Sequence, residues 1–159
     1  MPQSRSRLQY GASVTKRPGY DGLKEVNLRN VSPAGPAAAI SAHREAFLRG
    51  IEQFNSGLFF EAHETWEEIW LHSLEPEKTF LQGIIQITAA FHHYSRNNPR
   101  GARSLLEAAL RRLKGFPDNY SGIALLALRS AAETWIVALA GKHRPFPRDI
   151  PRIELVGTE

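Results

Sequence analysis

Cysteine is absent from this chain of 159 residues, which excludes disulfides, thiolate metal sites and a cysteine nucleophile. Long apolar runs are also absent. The nearest approach to a membrane span, Ile123–Ala140, is interrupted by Arg129 and Glu133 and is shorter than the roughly 20 residues a span requires. The basic opening MPQSRSRLQYGAS has no apolar h-region and does not read as a secretory signal, so a cytoplasmic location is the default expectation. Phosphate-cradling glycine loops are missing, and Ser56, Ser73, Ser95 and Ser104 have no nucleophile elbow around them. Period-two alternation is never sustained, which leaves little room for β-structure and predicts an all-α protein. With 42% hydrophobic and 23% charged residues, the chain has the composition of one globular domain with a real core.

Charge is unevenly placed. The formal net charge is +4. Residues 1–35 hold Arg5, Arg7, Lys16, Arg17, Lys24 and Arg29 against Asp21 and Glu25, and so carry all of that excess. The remainder of the chain is balanced. Six cations over such a length are thin for nucleic-acid binding, which is not expected; neither is membrane association. A protein partner or a homodimer stays open.

Taken in order, residues 1–35 form a leader with Gly11, Pro18, Gly19, Gly22, Pro33 and Gly35 and no sustained period. It reads as extended or partly disordered and dispensable for folding, with the short apolar run Leu23, Val26 and Leu28 able to pack on the body. The helical domain is expected over 36–141. Its first helix is predicted from Pro36 to Asn55, buried through Ile40, Phe47, Leu48, Ile51 and Phe54, and stopped by Asn55-Ser56-Gly57. A second runs from Leu58 to His72, a third from Pro76 to Arg96, a fourth from Arg100 to Lys114, and a fifth from Ser121 to Ala140. Residues 142–159 hold three prolines within seven positions and are expected to form an extended surface tail. The architecture implied is about five helices: two antiparallel hairpins plus a capping helix.

Two segments echo each other. FLRGIEQ at Phe47–Gln53 and FLQGIIQ at Phe80–Gln86 agree at five of seven positions. Gly57 precedes Ala62 by five residues, as Asn97 precedes Ala102. Each unit reads as helix, left-handed turn, then a helix with a small residue at the close crossing, a pattern like the tetratricopeptide hairpin. Any antiparallel helix pair needs a turn residue and a small contact residue, so duplication and plain packing explain it equally.

The most informative stretch is NSGLFFEAHETWEEIW, Asn55–Trp70. On a helix, His63, Glu67 and Trp70 stand at i, i+4 and i+7 and share one stripe. Phe59, Ala62, Trp66 and Ile69 form the adjacent apolar stripe, which must be buried. Glu61, Glu64 and Glu68 point away as a solvated face. His63 and Glu67 can share one metal ion, as the two histidines of H-E-x-x-H do, with Glu64 in the position of a mock general base. A third ligand would come from the next helix, from His92 or His93, which project about 100° apart and cannot both face His63. A hydrogen-bonded His63–Glu67 pair that orients the ring explains the same residues without an ion. Gln82 and Gln86 sit within an apolar run and would bond backbone or line a pocket if buried. Arg111, Arg112 and Lys114 read as cations at the negative end of a helix.

FNSGLFFEAHETWEEIW, followed by FLQGIIQITAAFHH and NNPRGARSLLEAALRRL, resembles domain-of-unknown-function family 309, a group of small helical prokaryotic proteins. The resemblance spans about Arg44–Leu113. The family's His, Glu and aromatic fall on His63, Glu67 and Trp70, and the pattern of its next helix on Gln82, Gly83, Ile84, Ala89, Ala90 and His92. What the resemblance implies is an all-helical fold and a His–Glu motif suggested as a metal site, here His63 and Glu67, and its matched pattern favours His92 over His93 as the third ligand. Two functions follow from these readings. One is an interaction or ligand-binding module with a structural His–Glu pair. The other is a divalent-metal-dependent enzyme, a hydrolase built on His63 and Glu67, of unknown substrate.

Overall fold

The computed structural model describes residues 38–141 and 149–157; the predicted leader and the first part of the proline-rich segment lie outside the described residues. Six helices follow one another: α1 (Ala38–Ala42), α2 (Arg44–Asn55), α3 (Phe59–Leu71), α4 (Glu77–Ser95), α5 (Pro99–Leu113) and α6 (Leu125–Ala140). Between α5 and α6 lies a small antiparallel ribbon, β1 (Asn119–Tyr120) and β2 (Ile123–Ala124). The fold is all-α as expected. No helix among the described residues is long and apolar enough to cross a membrane.

Helices α2 and α3 form one antiparallel hairpin and α4 and α5 a second, with α3 packed on α4 and α6 packed on α5. Both hairpin turns close the same way. At the first, Gly57 takes φ 79° and the amides of Gly57 and Leu58 bond back to the carbonyls of Phe54 and Gln53 at 3.0 and 2.8 Å. At the second, Asn97 takes φ 62°, and the amides of Asn97 and Asn98 bond to Tyr94 and His93 at 3.0 and 2.9 Å. Each is a Schellman stop, and Gly and Asn are the residues that reach the left-handed region at low cost. Asn98 then caps α5 by accepting from the Gly101 amide at 3.1 Å, with Pro99 in the first turn.

Helix α4 is the centre. From Glu77 to His93, every residue except Lys78 is buried. Its ring Phe91 meets Phe54 of α2, Phe59 of α3 and Trp135 of α6 at 6.2, 6.1 and 5.3 Å. On the other hairpin partner, Trp66 is wholly buried, and its indole N–H donates to the Phe47 carbonyl at 3.1 Å. Gly50 is required beneath it, because a Cβ there would stand 2.3 Å from the indole nitrogen. Gly83 does the same in the second hairpin, where a Cβ would meet Leu113 at 2.6 Å.

Three expectations are corrected. The first helix is not continuous from Pro36 to Asn55. It breaks at His43, and the short α1 is capped by Glu77, whose buried carboxylate accepts from the amides of Ala39 and Ile40 at 2.9 and 2.8 Å. The last helix starts at Leu125 rather than Ser121, because Ser121 (φ 52°) and Gly122 (φ 81°) make a two-residue hairpin turn. The chain after residue 149 is extended but not confined to the surface. Ile153 is buried, Asn55 clamps its backbone from both sides at 3.0 and 2.8 Å, and Leu155 bridges to Ile123. Arg129, which interrupts the apolar run of α6, caps the end of α5 through the carbonyls of Leu113 and Phe116 at 2.9 and 2.7 Å.

Trp66→Ala should destabilise the protein by about 3–5 kcal/mol in a denaturant titration, because it empties a fully enclosed site. Gly50→Ala should cost about 1–3 kcal/mol by overpacking the same ring. A Gly50→Ala protein as stable as wild type would show that the two helices are not set by this contact.

Candidate functional site

Ala62, Trp66, Ile69 and Trp70 turn the apolar stripe of α3 inward, and this rotation carries His63 with it. His63 has no solvent exposure at all. Its Nε2 faces Glu67 Oε2 at 3.5 Å, and its Nδ1 faces Glu64 Oε1 at 3.7 Å. Both separations exceed the 2.7–3.2 Å range of a direct hydrogen bond to nitrogen. The i, i+4 step therefore brings His63 and Glu67 together as expected, but not as a close pair. Glu67 is largely sheltered at 12% exposure and Glu64 is 49% exposed. Trp70 is buried beside them, with the Lys78 ammonium over its ring at 4.3 Å.

One atom each of His63, Glu64 and Glu67 lie within 4.8 Å of one another, so this group could hold a metal ion. Its third member is Glu64, which the helical pattern assigns to the solvated face. Its position is indeed exposed, but its carboxylate folds back along the helix to the ring of the preceding residue. A side chain on the outer face can return to its neighbour, and a projection along a helix does not capture that.

His92 and His93 are not members of the group. His92 is buried against Phe60 of α3, ring centroids 6.0 Å apart, and lines a groove of about 610 Å³ with Gly57, Leu58, Glu61, Ser95 and Arg96. His93 turns the other way, and its Nδ1 accepts from the Asn98 amide at 3.0 Å beneath the second hairpin turn. Asn98 Oδ1 is already taken by Gly101, which fixes the amide nitrogen as the donor to the ring. Of the expected ligands His63, Glu67 and His92, the first two lie in the group that could hold an ion, with Glu64 as its third member.

Gln82 is fully buried, and its side-chain oxygen accepts from two nitrogens of Arg112 at 2.9 and 3.1 Å. Arg112 thus does more than balance a helix end: it satisfies a buried amide on α4 with a charged donor, the stronger kind of hydrogen bond. The apolar run around Gln82 marks it as a residue needing a partner, but nothing in the spacing identifies Arg112.

Burial pushes the His92 ring from its ordinary 6.5 down to about 4, with the charges of Arg96 and His93 adding to the effect and Glu61 opposing it. Its imidazole is neutral at pH 7. The unfolded chain gains a proton on this residue near pH 6.5, whereas the folded chain gains it only near pH 4. Unfolding is then favoured by proton uptake, so stability falls as the pH drops through that window. Melting temperatures taken from about pH 7 to pH 4 should decline less steeply for His92→Gln than for wild type. Parallel curves would show that His92 does not titrate this way.

Residues 47–105 match the model of the family described as "Domain of unknown function (DUF309)". The chain is 33% identical over 95 residues to an uncharacterized protein of Aquifex aeolicus (strain VF5), an alignment covering 59% of this chain and 28% of that protein. It is 35% identical over 57 residues to the uncharacterized protein YpuF of Bacillus subtilis (strain 168), covering 35% of this chain and 33% of that one. The alignments thus span no more than about a third of either relative's length. The stretch that matches the family model takes in the whole His63–Trp70 motif.

Proposed function

We propose that the protein is a small binding module whose ligand is a divalent cation, taken by His63, Glu64 and Glu67. The observation that supports it is the convergence of one buried imidazole and two carboxylates within 4.8 Å. The separation of 3.5 Å between His63 Nε2 and Glu67 Oε2 is long for a hydrogen bond but close to the ligand–ligand edge of a tetrahedral ion, about 3.4 Å for bonds near 2.1 Å. One ion takes only one nitrogen of the ring. Nε2 is the better donor, since its carboxylate neighbour Glu67 is the sheltered one, and Glu64, which faces Nδ1, adds an oxygen once its exposed side chain turns to that edge of the ring. A donor set of one imidazole and two carboxylates, with no sulfur, suits zinc, manganese or ferrous iron. Solvent at Glu64 would leave positions open, as a hydrolytic site requires, so the hydrolase reading builds on the same cluster.

Metal content of protein made without a histidine tag is the first measurement. A chelator should lower the wild-type melting temperature and leave His63→Ala unmoved. An ion supplied at about 100 times its dissociation constant should restore about 2.7 kcal/mol. The competing reading is a structural pair with no ion. In that case the chelator changes nothing, and His63→Ala and Glu67→Ala each cost about 1–3 kcal/mol, with the double variant clearly below their sum.

A further inference from the structure

The groove beside the first hairpin turn is distinct from the His63–Glu64–Glu67 cluster, since none of the three lines it. It lies between the start of α3 and the end of α4, and its volume of about 610 Å³ is that of a small-molecule site. Leu58, 48% exposed, and the half-buried ring of Phe60 make its apolar wall. His92 packs its ring against Phe60, and Ser95 donates its hydroxyl hydrogen to the His92 carbonyl at 2.7 Å, which leaves the hydroxyl oxygen an acceptor. An apolar wall beside a few polar groups is the usual build of a pocket that orients a ligand.

Two opposite charges complete the lining. Glu61 stands in the first turn of α3 and Arg96 closes α4, both exposed. Both act on the same ring: the Arg96 guanidinium lowers the proton affinity of His92 and the Glu61 carboxylate raises it. Yet among the described residues neither enters an ion pair, so more than about 4 Å separates their nitrogen and oxygen atoms. With the His92 ring neutral at pH 7, the groove carries one cation and one anion that share its space without meeting. A simple anion would be drawn to Arg96 and repelled by Glu61, and a simple cation the reverse. A molecule with both charges satisfies both, and an apolar substituent on it matches Leu58 and Phe60.

We propose that this groove binds a small zwitterion, a free α-amino acid with an apolar side chain, whose carboxylate pairs with Arg96 and whose ammonium pairs with Glu61. The planar guanidinium can take the carboxylate through two parallel hydrogen bonds, and the side chain lies on Leu58 and Phe60. Both charged groups are exposed to water, so the dissociation constant is on the order of 0.1–1 mM. The site does not depend on the cation reading of the His63–Glu64–Glu67 cluster.

An amide NMR titration of the full chain with free phenylalanine tests the proposal. The amides of Leu58, Phe60, Glu61 and Ser95 should shift and saturate. Phenethylamine, which lacks the carboxylate, and hydrocinnamate, which lacks the ammonium, should each bind roughly tenfold more weakly. Arg96→Gln should abolish the preference for phenylalanine over phenethylamine, and Glu61→Gln the preference over hydrocinnamate. Both positions are exposed, so the two variants should keep the fold, which unchanged amide shifts away from the groove would verify. The absence of a saturable shift, or shifts confined to residues outside the groove, overturns the proposal. Hydrocinnamate or inorganic phosphate binding as tightly as phenylalanine would make this an anion site, and phenethylamine binding as tightly a cation site; each overturns it too. Binding should be the same with a chelator present. Loss of binding in chelator would assign the amino acid to the metal cluster and overturn the groove, whereas a cluster that holds no ion leaves the expected result unchanged.

Discussion

The contact of Trp66 with Gly50 is the constraint on which the site depends. A helix pair can approach this closely only where one member offers no side chain, and a Cβ at Gly50 would enter the indole. The ring is then fixed in rotation by its N–H bond to the Phe47 carbonyl. With Trp66 and Ala62 held against α2, the roll of α3 about its axis is settled, because both are wholly buried. His63 lies 100° round from Ala62 and is carried into the interior; Glu67 lies some 40° beyond His63 and stays at the rim; Glu64, about 60° beyond Glu67, reaches solvent. The buried histidine between a sheltered and an exposed carboxylate is thus a geometric consequence of one glycine and one tryptophan. A shift in that packing would rotate all three donors together.

The second hairpin uses the same device with different chemistry. Gly83 lets Leu113 approach α4, and a left-handed residue closes the turn. Around this second contact the buried groups are polar. Gln82 is met by Arg112, and His93 is met by Asn98, which also caps α5. Helix α4 is buried on nearly every side, so each polar side chain on it must find a partner or leave a desolvated group unsatisfied. These bonds reward one register of α5 against α4, which apolar contacts alone would not distinguish as sharply.

Most of the helical order was legible in sequence because its signals are local. Asn55-Ser56-Gly57 and Asn97-Asn98-Pro99 stop helices by backbone conformation, and the apolar stripes of α2, α3 and α5 have the period of 3.6. What escaped the reading is set by partners distant in the chain. The short α1 before the break at His43 is capped by Glu77, close to forty residues from Ala39 and Ile40, and Ile153 is held by Asn55, nearly a hundred away. The start of α6 is a different case, since Ser121-Gly122 is a recognisable hairpin turn, hidden by strands only two residues long. In the site, the His63–Glu67 relation followed from helical spacing. Glu64 did not, because its carboxylate bends back from an exposed position. The choice between His92 and His93 could not be made from an angle of 100° without knowing where α3 and α5 lie. The structure turns the first toward α3 and the second toward α5, and joins neither to the cluster.

Charge balance links the cluster to the rest of the helix. Two carboxylates that converge on one imidazole call for positive charge between them. A ring proton supplies one unit and leaves the group net negative, whereas a divalent ion on a neutral ring neutralises both carboxylates. Burial sharpens the difference, since His63 has no exposure to water and Coulomb terms are larger where water is excluded. Glu61 and Glu68 remain as exposed charge on the same helix whatever occupies the cluster. The acidic character of α3 therefore divides into a sheltered part that could hold a small ion and an outer part that faces solvent. Glu64, exposed in position yet folded against His63, belongs to both.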